Sequence, residues 1–343
     1  MAAQRVVITR AGGPEVLQIE PFEPAAPGPG EVALDVRAAG VNFADLFCRL
    51  GLYKAAPPIP FTCGFEVAGV VAATGEGVLE PPPGERVIAV LRFGGYASRV
   101  NVPAGQVKPI PAGWSFEQAA AFPVVFLTAW HGLVNLGRLA AGETVVVHSA
   151  AGGVGTAACQ IARALGARVI GTVGSEEKRA AALRAGANEV VVSTGNDVWG
   201  EVRRLAGGVD LILDAVGGPG LRRGYESLRI GGRLIVFGFA EMMPKGGRRN
   251  WPALAWRRLR TPRFSPFSLT FQNRTVAGFN LVHLFGRAEL LGGAWRRLEE
   301  LATAGRIQPV IGATFPLAEA PAAHALVQSR RSTGKVVLII PAV

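Results

Sequence analysis

Three cysteines and four histidines are spread thinly through 343 residues, and that scarcity limits what the chain can be. Cys48, Cys63 and Cys159 have no C-x-x-C spacing. This excludes a disulfide-stapled scaffold and a four-cysteine zinc lobe, and it fits a reducing compartment. The histidines likewise lack metal-ligand spacing. No apolar run approaches the roughly 18–20 residues that a bilayer-spanning helix needs. The N-terminal stretch MAAQRVVITR enters a strand pattern directly, without the apolar segment of a signal peptide, so a cytoplasmic location is expected. There is no internal repeat and no low-complexity tract. Acidic residues are also short, 25 against 36 Lys and Arg, and the net charge of +11 points to an anionic partner: nucleic acid, a membrane surface or a phosphorylated ligand.

What is present is the composition of a globular protein, 49% apolar with 45 glycines, and a length that suits two domains. The first 120 residues read as short strands broken by Gly and Pro, among them RVVIT (5–9), EVALDVRAAGV (31–41), FEVAGVVAATG (65–75) and RVIAVL (86–91). The pattern then changes. ETVVVH (143–148) is an apolar run of the kind covered on both faces, followed by a glycine turn, a helical stretch at 156–166 and the strand ARVIGT (167–172). A helix over 176–186 and strands NEVVVS (188–193), VDLILDAV (209–216), GRLIVFGF (232–239) and TVAGFNL (275–281) continue the alternation. Alternating strands and helices imply a parallel sheet with right-handed crossovers. The expected fold is therefore α/β, with a β-rich domain over 1–124 and 285–343 interrupted by a Rossmann-like, doubly wound domain over 125–284.

The turn SAAGGVG (149–155) stands after a strand and opens a helix, where a dinucleotide fingerprint belongs. Ala150, Gly152 and Gly155 take the three glycine positions of that fingerprint, with Gly153 and Val154 between the last two. Gly152 admits the pyrophosphate close to the backbone, Gly155 lets helix and strand pack, and the anion rests on the helix N-terminus. The next strand ends in Gly174 and Ser175, with Lys178 and Arg179 one turn on, in place of the acid that holds a ribose diol. A hydroxyl and cations suit a 2′-phosphate, so NADPH is expected ahead of NADH. Glu176 and Glu177 read as first-turn helix residues favoured by the dipole.

FTCGFEVAGVV (61–71) resembles half of a metal-site motif with Phe65 in place of histidine. NFADLFCRLGLY (42–53) places Asn42 where zinc alcohol dehydrogenases have cysteine, and PVVFLTAW (123–130) lacks their third ligand. Together these motifs resemble the zinc-independent quinone oxidoreductases of the medium-chain dehydrogenase/reductase superfamily, over essentially the whole chain. HSAAGGVG (148–155), RLIVFGF (233–239) and SRRSTGKVVL (329–338) agree, and residues 244–284 resemble the branch of vesicle amine transport protein homologues. The resemblance implies a GroES-like β domain, no zinc, and hydride transfer to a quinone or an activated alkene. It assigns Asn42 and Tyr53 as hydrogen-bond donors to the acceptor oxygen, and Thr128, Phe237, Gly238, Phe239, Phe279 and Asn280 to the cofactor. Arg330 matches an arginine that contacts the cofactor phosphate in relatives. Ser193 stands where relatives often have Tyr beside the 2′-phosphate, which keeps NADH in view. Asp45 and Arg49 are expected to form a structural ion pair, Glu66 to be structural, Lys335 to be an exposed strand residue, and His131 and His148 to be core or capping residues. TVAGFNL is expected to be a sheet edge that pairs across a homodimer.

Seven basic residues between 245 and 263 are interleaved with Trp251, Trp256 and Leu259. A solvated insertion, a segment resting on an anionic membrane, and nucleic-acid binding all stay open, the last disfavoured because no recognised module is present. Two functions follow: an NADPH-dependent reductase, or a membrane-surface protein on a reductase fold with nucleotide bound mainly for structure.

Overall fold

The strands around the glycine turn form one six-stranded parallel sheet. Its order is Glu189–Val192, Arg168–Val173, Thr144–Val147, Val209–Asp214, Leu228–Val236, Thr275–Gly278. Numbered along the chain this is 3-2-1-4-5-6, the doubly wound order whose switch point lies between the first and fourth strands. Thr144–Val147 is buried on both faces because helices cover the sheet on each side. The sheet-edge expectation for 275–281 holds for Thr275–Gly278, which pairs on one side with Leu228–Val236. The computed structural model describes residues 2–243 and 251–341. Lys245, Arg248 and Arg249 of the basic stretch lie outside the described residues.

The second sheet joins the two ends of the chain. Its path runs Ile311–Pro316, Lys335–Ile339, Glu31–Val41, Glu66–Thr74, Arg86–Val90, Val107–Pro109, with Arg99–Pro103 also paired to Glu31–Val41. A small antiparallel sheet of Leu17–Pro21, Gln4–Ile8 and Phe61–Thr62 lies beside it. The helix Pro123–Trp130 connects the two parts. Pro123 at its first turn suits helix entry, and seven of its residues are buried, five of them in a core cluster that also holds Val145 of one sheet and Val337 of the other.

Helices appear in the β-rich part where strands alone were read. NFADLFCRLGLY contains the helix Phe43–Arg49, started by a capping box in which Asn42 accepts from the backbone of Asp45 and Asp45 accepts from that of Asn42. Trp251–Arg260 of the basic stretch is also helical.

Candidate active site

A cleft of about 1580 Å³ runs across the switch point. One end is formed by the glycine turn and the start of helix Gly153–Ala164, which has no side-chain cap among the described residues. That leaves the first-turn N–H groups and the positive end of the helix dipole facing the cleft. Gly155 is required here: a Cβ would lie 2.1 Å from the Ser149 carbonyl oxygen. Gly152, Gly153, Val154 and Gly155 all line the cleft. Ala150 does not. Its side chain points back at the strand Arg168–Val173, where a Cβ on Gly171 would come within 2.7 Å of it.

At the end of that strand Gly174, Lys178 and Ser193 line the cleft, while Ser175 starts the turn Glu176–Lys178 outside the lining. Lys178 donates from Nζ to the carbonyls of Arg330 (2.5 Å) and Ser332 (2.8 Å), and burial pushes its pKa down. Arg330 lines the cleft beside it with φ of 59°, in the left-handed region that non-glycine residues rarely adopt. Glu176 is an ion-pair partner of Arg179, which leaves this corner cationic. A 2′-phosphorylated dinucleotide fits such a corner, since a bound anion would relieve the desolvated ammonium.

The other end is aromatic. Phe237 stacks on Phe279 with ring centroids 6.2 Å apart, and Gly238 and Phe239 continue the wall. Phe65, 3% exposed, packs edge-on against Tyr53 at 5.9 Å and at a tilt against Phe93 at 5.4 Å. The ring at the histidine position is thus part of the cleft wall. Tyr53 donates its hydroxyl to Asn280 Oδ1 at 2.9 Å, and burial raises its pKa to about 12. Thr128 lines the cleft from the connecting helix.

Asn42 faces the cleft, but its amide is committed. Nδ2 donates to Glu66 Oε1 at 2.9 Å and lies 3.4 Å from the Gly40 carbonyl, and Oδ1 accepts from Lys335 Nζ at 2.5 Å. The expected donation from Asn42 to an acceptor is corrected accordingly: both amide hydrogens have protein acceptors. Glu66 also accepts from the Val124 backbone at 2.7 Å and pairs with Lys335 at 2.6 Å. Lys335, read as exposed, is 3% exposed. A cation opening the otherwise apolar run KVVLII was the signal available for it.

The Asp45–Arg49 pair is also corrected. Asp45 accepts from the backbone N–H of Asn42 and Gly64 and from Tyr96 Oη, whereas Arg49 donates to the Gly12 carbonyl and to Gln328. The resemblance implied an ion pair between them, but each is bound by other groups instead. His131 is the expected structural residue, stacked edge-on against Phe279. His148 instead lines the cleft, with Nδ1 3.1 Å from Thr172 Oγ1 and Nε2 3.6 Å from Asp214. Among the described residues no cluster of three His, Cys, Asp or Glu side chains is placed to hold an ion.

A doubly wound sheet, a bare helix N-terminus beside cations and a cleft closed by a second, β-rich domain define a two-domain oxidoreductase that takes a nicotinamide dinucleotide. Family models agree: an alcohol dehydrogenase GroES-like domain matches residues 28–112 and a zinc-binding dehydrogenase domain matches 153–300. The chain belongs to the medium-chain dehydrogenase/reductase superfamily, among its quinone oxidoreductases and VAT-1 homologues. The synaptic vesicle membrane protein VAT-1 homolog of Homo sapiens is 38% identical over 341 residues, covering 97% of this chain and 86% of that protein. Quinone oxidoreductase 1 of Escherichia coli is 33% identical, with 98% and 99% covered. The crystal structure of Escherichia coli quinone oxidoreductase complexed with NADPH superposes with a TM-score of 0.86 at 33% identity, over 98% of this chain and 99% of that one. That of the human VAT-1 homolog-like protein gives 0.86 at 30% identity, over 100% and 99%.

Proposed function

We propose that the protein is an NADPH-dependent, zinc-independent reductase that delivers hydride to a quinone or an α,β-unsaturated carbonyl. The observation that carries this reading is the two-ended cleft, cationic at Lys178 and Arg330 and aromatic at Tyr53, Phe65, Phe237 and Phe279. Bound NADPH supplies the hydride. The glycine turn and helix N-terminus hold the diphosphate, and Lys178 and Arg330 hold the 2′-phosphate. Phe237 and Phe279 flank the nicotinamide. Tyr53, a phenol whose pKa burial raises further, to about 12, exchanges its bond to Asn280 for one to the acceptor oxygen and stabilises the charge that develops there. An amide and a phenyl ring, Asn42 and Phe65, occupy the positions at which the zinc dehydrogenases carry ligands, so the acceptor has to be electrophilic in itself. NADPH oxidation against a panel of quinones and enones, with NADH alongside, tests the proposal. Rapid turnover selective for NADPH is expected. Tight NADPH binding without turnover on any acceptor would overturn it.

A second reading has its own observation. On the helix Trp251–Arg260, Trp256 is 62% exposed and Leu259 74%, in one run with Arg258 and Arg260, and Phe271 on the next helix is 86% exposed. Such a surface suits an anionic bilayer. No helix among the described residues is long and apolar enough to cross a membrane. Co-sedimentation with anionic liposomes, lost on neutralising Arg258 and Arg260, is the result this reading expects. The protein serves as a homodimer in the first reading, with Thr275–Gly278 pairing to its copy.

A further inference from the structure

A buried charged group in the wall of the cleft is one that the expected chemistry does not use. Lys335 Nζ lies 2.6 Å from Glu66 Oε1 and 2.5 Å from Asn42 Oδ1, with side-chain exposures of 3% for Lys335 and 0% for Glu66. A buried ion pair is weak evidence for stability, because desolvation of both charges offsets their attraction. An apolar residue heading Val336, Val337 and Leu338, all buried, would pack at least as well. What the pair does contribute is connection. Gly334, the preceding residue, donates its N–H to the Ala151 carbonyl at 2.7 Å, and Gly152 and Gly334 form a parallel bridge. Gly334 has φ of 60°, and a Cβ there would meet the Val310 carbonyl oxygen at 2.3 Å, so the backbone at this joint has little freedom. From that joint the ammonium reaches Asn42, which caps the helix leading toward Tyr53. Glu66 ties the same point to the Val124 N–H at the start of the helix that carries Thr128. Gly40 makes room for the carboxylate, since a Cβ there would lie 2.4 Å from Glu66 Oε1.

We propose that Lys335 is a positioning residue of the reaction: by clamping Glu66 and Asn42 under the glycine turn it keeps the acceptor side of the cleft in register with the cofactor side. The inference rests on the reductase reading above. It also gives Lys335 an electrostatic task, because an unpaired Glu66 carboxylate would lie buried behind the wall of a cleft that receives the two negative charges of a diphosphate.

Four variants test it: Lys335→Met, Lys335→Arg, Glu66→Gln and the double Lys335→Met/Glu66→Gln. NADPH affinity is read by fluorescence titration without acceptor, and the hydride step by single turnover at saturating NADPH. In Lys335→Met the NADPH Kd rises about tenfold or more through the uncompensated carboxylate. The hydride step slows about 100-fold, the order expected when reacting groups lose ångström-level placement. The double variant recovers NADPH affinity to within about threefold, because the stray charge is gone, and its hydride step stays slow because Asn42 is still unclamped. Lys335→Arg recovers part of the rate. A double variant that transfers hydride at the wild-type rate overturns the proposal, as does a Lys335→Met protein altered only in melting temperature. Should Lys335→Met fail to fold, Glu66→Gln decides: slow hydride transfer with NADPH affinity kept supports the clamp, and a wild-type rate sinks it. If the wild type binds NADPH but reduces no acceptor, the reductase reading fails, while the loss and recovery of affinity across the variants still reports on the clamp.

Discussion

Replacing His324 with Gln should tilt the stability of this protein against pH. Behind the helix that starts at Asn42, Tyr96 Oη donates to Asp45 Oδ2 at 3.0 Å and lies 3.2 Å from His324 Nε2. All three side chains are buried. Burial raises the Asp45 pKa from 3.8 to about 7, against the lowering effect of its bonds from Asn42 and Tyr96. Burial, helped by the charge of Arg49, lowers that of His324 from 6.5 to about 3. The folded state therefore holds a proton on Asp45 that the unfolded chain releases, so this contribution is complete below 3.8 and lost as pH rises to about 7. For His324 the folded state refuses a proton that the unfolded chain takes up, so its contribution is complete above 6.5 and lost as pH falls toward about 3. Each slope is at most about 1.4 kcal/mol per pH unit, and between about pH 4 and 6.5 they oppose each other. His324→Gln removes one of them. Relative to wild type, the variant should lose roughly 2–3 kcal/mol as pH rises across that window. Urea midpoints followed by tryptophan fluorescence at half-unit pH steps measure the difference. Midpoints that run parallel for variant and wild type would refute the account of this network.

Three further outcomes are expected. Tyr53→Phe should lower kcat/KM for a quinone about 30- to 100-fold, the effect of one lost donor to a developing oxyanion, with NADPH affinity unchanged by titration; an unaltered rate would remove Tyr53 from the mechanism. Lys178→Ala should raise the NADPH Kd about 10- to 100-fold, the value of a charge-assisted hydrogen bond, and leave the NADH Kd within about twofold; equal shifts for both would move the 2′-phosphate elsewhere. Gly155→Ala should cost about 1–3 kcal/mol in stability and abolish NADPH binding, since its Cβ would lie 2.1 Å from the Ser149 carbonyl oxygen and force the turn open. Calorimetry and titration check the two effects separately.

The dinucleotide half of the fold was legible in the sequence because its determinants are local. An apolar strand, a glycine turn and a helix that buries small residues are contiguous from Thr144 to Ala164, and each needs only its neighbours to be recognised. The aromatic at position 65 and the NFAD motif were equally visible, but the helix that NFAD opens was not, because it sits among short strands. What tertiary structure alone decided is the polar knot beneath the cleft. The antiparallel register that pairs Val336 with Val41 carries Lys335 to Asn42, 293 residues away, and although a cation heading an apolar run is a local hint of burial, nothing local names its partners. Asp45 and Arg49 show the same limit: the resemblance implied that they pair with each other, but packing brings Asp45 to Gly64 and Tyr96, and Arg49 to Gly12 and Gln328. A buried polar or charged group takes whatever partner long-range packing brings to it, because leaving it unpaired is too costly. The identity of that partner exists only once the chain has folded.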